Sequence, residues 1–394
     1  MQHITIISYD ELALKSWNIR KKFVLKLASN LKIALKSWNL SNTAIRNEWD
    51  KLFIDTSSLE ESTRAARVAS KVFGVDSAAP AVYTKFTDLK DVIHHALEFT
   101  KGYIFPDDRF LLDVKFKGES FSRNDFITSL RERIESEIPG SKGETSSHNR
   151  ELHLYGRGEH VYYYAYKFPG PGGFPLGTNG KAVCLVSGGI DSPVASWLMM
   201  KRGVHPIFVH FATALDGSTE GVTITKEKIR KLVDDWGYSK TPIKFYIIPY
   251  GDVLSTFKGG IIDEYTCVFC KRHMLRIANR IALKEKAQAL VTGDNIGQVA
   301  SQTAWNLIAL DQASDLPVYR PLISFNKRET IDLARKIGTF GETIPQPGCC
   351  QAVPDSPVIK AEENIIKQEE KQIDSQSLID KALEKAIIDT ITPL

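Results

Sequence analysis

At 394 residues the chain is too long for one ordinary core, so two or three domains are expected. With 43% hydrophobic and 25% charged residues and no biased tract, the composition is that of a soluble globular protein. The opening MQHITIISYD lacks a basic stretch followed by an apolar run, and no apolar segment approaches bilayer-spanning length. A cytoplasmic enzyme with no membrane partner is therefore the expectation.

A net charge of +4 is too small to argue for a nucleic-acid partner, but its distribution says more. Between Leu12 and Arg46 every charge is basic: Lys15, Arg20, Lys21, Lys22, Lys26, Lys32, Lys36 and Arg46. Interleaved with Trp17 and Trp38, this run suits a surface that contacts phosphates. It equally suits the solvated face of an amphipathic helix.

In chain order, ITIIS reads as a strand and the basic run from about Trp17 to Lys36 as a helix. AIRNEWDKLFIDT supplies strands, and STRAARVASKVFG reads as a helix stopped by Gly74. That alternation predicts a ferredoxin-like α+β domain over 1–74. Residues 75–167 predict a second α+β domain, with helices in DLKDVIHHALEFTKG and RNDFITSLRERIESEI and strands in RFLLDVKF and ELHLYGRGEHVYYYAY. The Gly/Pro-rich FPGPGGFPLGTNG, 168–180, reads as a linker. From 181 to 394 apolar strands (KAVCLV, HPIFVHF, IKFYIIPY, ALVTG) alternate with helices, predicting a doubly wound parallel sheet. The tail after about Val358 is polar and helical in pattern.

The most informative residues follow the strand KAVCLV: Ser187-Gly188-Gly189-Ile190-Asp191-Ser192. Two glycines permit a tight turn that aims N–H groups at an anion, and the next helix offers its positive end. Ser192 reads as the N-cap and Pro193 as the first helical residue. With no Gly-Lys-Ser/Thr ending, this is not a loop for γ-phosphoryl transfer. The five cysteines, Cys184, Cys267, Cys270, Cys349 and Cys350, are odd in number and point to metal or redox chemistry rather than a disulfide framework. Cys184, inside an apolar strand, reads as an inert core residue.

SGGIDS resembles the PP-loop of ATP pyrophosphatases, which split ATP between its α and β phosphates. The longer stretches GPGGFPLGTNGKAVCLVSGGIDSPVASWLMMKRG, ALVTGDNIGQVASQT and RPLISFNKRETIDLARKIGT closely resemble the ThiI family of tRNA 4-thiouridine synthetases. ISYDELALKSWNIRKKF resembles that family's opening, and 75–167 resembles its THUMP RNA-binding domain. The resemblance implies a PP-loop ATP pyrophosphatase domain behind ferredoxin-like and THUMP domains. It implies tRNA as partner, uridine 8 as target, and ATP with Mg2+. The base is adenylated at O4, and sulfur then displaces AMP.

It further implies a catalytic Asp191 and an ATP site of Leu185, Val186, Ser187, Gly188, Gly189, Asp191, Ser192, His210, Phe211, Lys271, Gly293 and Gln302. Lys15, Arg20, Lys21, Lys22, Lys115, Lys117 and Arg123 are the candidate RNA contacts. Cys350, seven residues before Pro357, matches the family's catalytic cysteine, with Cys349 beside it.

Unlike many members, the chain carries no rhodanese-like domain after the catalytic one, and it has an added Cys267-Val268-Phe269-Cys270 pair. Three readings follow. A [4Fe–4S] cluster on Cys267, Cys270 and Cys350 would leave one iron open for hydrosulfide, as in an archaeal-type branch of the family. Cys350 would otherwise carry a persulfide, or zinc would recruit Cys349 or His273. The donor is then sulfide or a persulfide, and a homodimer is admitted. The competing functions are a PP-loop thiolase acting on another base and a THUMP-type RNA-binding factor with a vestigial nucleotide site.

Overall fold

A computed structural model describes residues 1–40, 43–48, 50–117, 123–258, 262–341, 344, 350 and 352–393. The chain forms two compact units, 1–173 and 174–394.

The first unit opens with β1 (Gln2–Ser8), α1 (Trp17–Ser37), the hairpin β2 (Ile45–Glu48) and β3 (Lys51–Asp55), α2 (Leu59–Ala69) and β4 (Ser77–Lys85). It continues with α3 (Leu89–Thr100), β5 (Arg109–Lys117), α4 (Arg123–Glu137), β6 (Lys142–Gly143), β7 (Arg150–Arg157), β8 (His160–Tyr164) and β9 (Phe168–Pro169). Helix α1 buries Val24, Leu27, Leu31, Ala34 and Leu35, a stripe at helical spacing, and leaves Lys21 and Lys22 exposed. Helix α2 ends at Ala69, short of the expected stop at Gly74. Its start is fixed by Ser58, whose Oγ accepts the Glu61 N–H at 3.1 Å, while Glu61 reaches back to the Ser57 N–H at 2.6 Å.

The first four strands and two helices make the ferredoxin-like pattern, but its last strand, β4, lies beyond residue 74. Strand β4 pairs with β1 on one side and with β8 and β9 on the other, so one sheet, ordered β2-β3-β1-β4-β8-β7-β5-β6, runs through the unit. Residues 75–167 therefore continue the sheet begun by 1–74. What reads as one strand over 151–166 is the hairpin β7/β8, which turns at Gly158 with φ +58. The 168–180 stretch is built into the fold. Strand β9 pairs with Ser77 and Ala78, and Phe174 and Leu176 are buried.

The second unit has β10 (Lys181–Leu185), α5 (Asp191–Lys201), β11 (His205–Ala212), α6 (Glu220–Trp236), β12 (Ile243–Pro249), α7 (Gly251–Phe257) and α8 (Thr266–Glu285). Then come β13 (Ala289–Val291), α9 (Ala304–Asp311), β14 (Val318–Tyr319), α10 (Lys327–Ile337), α11 (Glu363–Glu370), α12 (Ser375–Glu384) and β15 (Ile387–Ile391). The sheet runs β14-β13-β10-β11-β12-β15, parallel except for β15. Its strands are apolar on both faces because helices cover both.

Helix α5 begins at Asp191 rather than after Ser192, because the Ser192 hydroxyl turns back to accept the Ser187 N–H at 2.8 Å. Beyond Val358 the chain supplies two helices and a strand that completes the sheet edge. Among the described residues no helix is long and apolar enough to cross a membrane.

Candidate active site

A cavity of about 610 Å3 opens at the carboxyl ends of β10, β11 and β13, where ligands bind in open α/β sheets. All twelve residues expected around ATP line it, from Leu185 to Gln302, and so does Cys350. The reason is topological. Leu185 ends one central strand and Val186 follows it, His210 and Phe211 lie in its neighbour, and Gly293 follows the strand on the other side.

The loop is held by its own serines. Besides the Ser187 N–H, the Ser192 hydroxyl lies 3.3 Å from Ser187 Oγ, which in turn accepts the Gly189 N–H at 3.3 Å. A Cβ on Gly293 would lie 2.9 Å from Ser192 N and 3.0 Å from Ser192 Cα. Only glycine permits β13 to approach the loop this closely. His210 is buried, with Nδ1 3.0 Å from the Val186 carbonyl oxygen, and burial lowers its pKa. It faces the cavity as a neutral ring.

Four polar residues that sequence reasoning missed complete the site. Lys327, at the start of α10, binds both carboxylate oxygens of Asp191 at 2.8 and 3.0 Å, and Gln298 donates to the same group at 3.1 Å. Asp294 accepts from Lys271 at 3.0 Å, from Thr292 at 2.7 Å and from Gln302 at 3.1 Å. Burial pushes the Asp294 carboxyl up, but Lys271, Thr292 and Arg320 outweigh it and hold it at about 2. Lys228, on α6, is 2% exposed and donates from Nζ to the Gly188 carbonyl.

Helix α8 carries the thiols. Cys267, Cys270, Lys271 and Met274 follow i, i+3, i+4, i+7 spacing, so they share one face, and Lys271 and Met274 line the cavity. Burial raises the Cys270 thiol to about 12 and also raises Cys267, with Cys350 the next cause for both. The three thiols are thus electrostatic neighbours. Among the described residues their sulfurs do not all fall within 4.8 Å of one another. Cys349 lies outside the described residues. Cys184 is buried with its thiol raised to about 12, an inert core group.

His273 is not free for a metal: Nδ1 lies 3.2 Å from the Phe269 carbonyl and Nε2 lies 3.0 Å from Ser375 Oγ. Burial, then the Arg276 charge, holds its imidazole down to about 4. An unfolded chain takes up this proton near pH 6.5 and the folded chain does not until about 4, so stability falls as pH drops through that window. The loss is at most about 3 kcal/mol. Melting temperature measured from pH 7 to 4 should fall less steeply for His273→Gln, and an unchanged slope removes His273 from the acid response.

The candidate RNA contacts scatter over the first unit. Lys15, Lys21 and Lys22 are exposed at the start of α1, whereas Arg20 is engaged by Asp50 at 2.7 Å. Lys115 on β5 is 67% exposed beside Asp113, and Arg123 on α4 donates from Nε to the Val114 carbonyl at 2.7 Å. Lys117 ends β5, and its side chain lies outside the described residues.

Comparison with known proteins bears on the family and the fold. The family model described as Thiamine biosynthesis protein (ThiI) matches residues 177–375, and the ThiI ferredoxin-like domain matches 4–79. A probable tRNA sulfurtransferase of Methanosarcina mazei is 38% identical over 98% of this chain and 94% of its own length. One from Thermoanaerobacter pseudethanolicus is 34% identical over 98% of this chain and 100% of its own. Among solved structures, a 4-thiouridine synthetase–RNA complex with bound ATP superposes with a TM-score of 0.85 at 27% identity, covering 99% of this chain and 100% of that one. With two family models and full-length relatives in agreement, the chain belongs to the ThiI family.

Proposed function

We propose that this protein is a tRNA sulfurtransferase that uses ATP to activate O4 of uridine 8 and replaces that oxygen with sulfur, giving 4-thiouridine. The observation that carries the reading is a single cavity lined by both the Ser187–Ser192 loop and Cys350. Phosphate binding and sulfur delivery then meet at one base.

The loop N–H groups and the N-terminus of α5 hold the pyrophosphate portion, and Lys271 adds positive charge. His210 and Phe211 lie against the nucleoside side. Uridine O4 attacks the α-phosphorus and pyrophosphate leaves. Hydrosulfide then attacks C4, the C4–O4 bond breaks, AMP departs with that oxygen, and the sulfur's proton passes to water. Asp191 fits a Mg2+ ligand: its side chain is 23% exposed at the loop, with Lys327 as the counter-charge it would share. Bound there, Mg2+ would neutralise charge on the phosphates.

The donor set at the cysteines fits a [4Fe–4S] cluster better than zinc. Three thiols leave tetrahedral zinc in need of a fourth ligand, and His273 has no nitrogen to spare. A cubane spreads its ligands because each thiolate takes a different iron. Cys267, Cys270 and Cys350 would hold it, and an iron without a protein thiolate would offer a binding place for hydrosulfide.

Unmodified tRNA with ATP and sulfide, under anaerobic conditions, tests the whole reading. Pyrophosphate release should require tRNA, and 4-thiouridine should appear at position 8 alone. ATP hydrolysis indifferent to tRNA, or thiolation elsewhere, overturns it.

Residues 75–167, proposed as a THUMP module, and the start of α1 would grip the tRNA. Changing Lys21 and Lys22 to Glu should weaken binding and lower the slope of log affinity against log salt by about 2, one released counterion per lost phosphate contact. An unchanged slope would make the basic run an ordinary solvated face.

A further inference from the structure

Helix α6 packs Ile224, Lys228, Leu232 and Trp236 along one ridge, four residues apart, and all four are buried. A lysine in that row is out of place by composition. The residue is 2% exposed, and burial lowers its pKa, so the side chain costs stability wherever it lacks a compensating task. Its Nζ donates to the carbonyl oxygen of Gly188, the first glycine of the phosphate loop.

The peptide joining Gly188 to Gly189 is planar and trans, so its C=O and N–H point in opposite directions. With the Gly188 carbonyl drawn down onto Lys228, the Gly189 N–H faces the other way, towards Ser187 Oγ on the cavity wall, 3.3 Å distant. Were this peptide to flip, a carbonyl oxygen would face the phosphates instead of a donor.

We propose that Lys228 is a positioning residue that locks the Gly188–Gly189 peptide in its anion-accepting orientation and so sets affinity for the pyrophosphate part of the nucleotide. The inference rests on reading the cavity as the ATP site. Lys228 touches the loop, not the substrate, and acts behind it.

The test compares ATP, inorganic pyrophosphate and AMP by calorimetry on the full chain, with Lys228→Met, Lys228→Gln and Lys228→Arg beside wild type. Lys228→Met should weaken ATP and pyrophosphate by about 10- to 100-fold, the range for a hydrogen bond to a charged group. AMP, which lacks the pyrophosphate, should change less than about 3-fold, a split that general destabilisation does not produce. Lys228→Arg should restore most of the pyrophosphate affinity. Lys228→Gln keeps a donor without the charge, supplies a folded variant if Met fails, and should lose at least about 5-fold.

Wild-type pyrophosphate affinity in the Met or Gln protein overturns the proposal while leaving the nucleotide site intact. Equal loss of all three ligands makes Lys228 merely structural and overturns it too. A wild-type chain that binds neither ATP nor pyrophosphate overturns the reading of the cavity itself.

Discussion

Asp191→Ala should reduce tRNA-dependent pyrophosphate release and thiolation together, by about 10²- to 10³-fold or to below detection. The carboxylate sits at the start of α5, at the cavity wall, bound by Lys327 and Gln298. Removing it takes away the acid that would hold Mg2+ and leaves the Lys327 charge without its partner. Affinity for tRNA should stay near wild type, since the proposed grip lies in the first unit. Stability should barely move, because a half-exposed ion pair contributes about 0–1 kcal/mol. If Asp191 served only to anchor Lys327, the mutant would melt slightly earlier and thiolate normally. Near-wild-type thiouridine formation therefore removes it from the mechanism.

Replacing Cys267, Cys270 or Cys350 singly with Ala should abolish thiolation while tRNA-dependent pyrophosphate release continues. The two halves separate because the phosphate loop and Asp191 belong to the β10–α5 turn, whereas Cys267 and Cys270 lie on α8. Iron content and visible absorption should fall in each of the three variants. Cys349→Ala should keep both iron and activity, since a fourth protein ligand would fill the iron meant for sulfide. A persulfide carrier predicts another pattern: Cys350→Ala dead, a second cysteine partly impaired, and no iron in the wild type. Iron-free wild type that thiolates fully after anaerobic purification sinks the cluster.

The parts of this molecule legible in the sequence are those where local pattern and tertiary role coincide. Apolar strand runs alternating with helices gave the parallel sheet, and the two glycines before Asp191 gave the loop that the sheet's edge then surrounds. Strand β4, absent from the sequence reading, carries Pro80, a residue that argues against a central strand. The structure resolves the conflict by register: β9 pairs at Ser77 and Ala78 and β8 from Val82 onward, so Pro80 falls in the gap between them and interrupts neither ladder.

Apart from the loop residue Gln298, the missed site residues are charged side chains on or just after regular elements, where a solvated surface is the ordinary expectation. Lys228 did leave a signal, a lysine in step with Ile224, Leu232 and Trp236. Lys327 and Asp294 left none beyond lying in stretches that resemble the family, because their partners Asp191 and Lys271 are distant in sequence. The spacing of Cys267, Cys270 and Lys271 was readable as one helix face, yet which of Cys349 and Cys350 turns inward is not a property of spacing at all.

The last strand carries a consequence for the order in which the second unit matures. Strand β15 pairs Ile391 with Ile243, and just before it Glu370 binds Arg272 at 2.8 Å and Ser375 meets His273. These partners are residues of the cysteine helix or of the strand beside it, made well over a hundred positions earlier on the ribosome for β12 and about a hundred for α8. A nascent chain can thus stack β10 to β14 and shape the nucleotide cavity while α8 still lacks its outer clamp. The thiol-bearing helix gains its final contacts only when the closing residues emerge, so the sulfur side of the site is completed after the phosphate side.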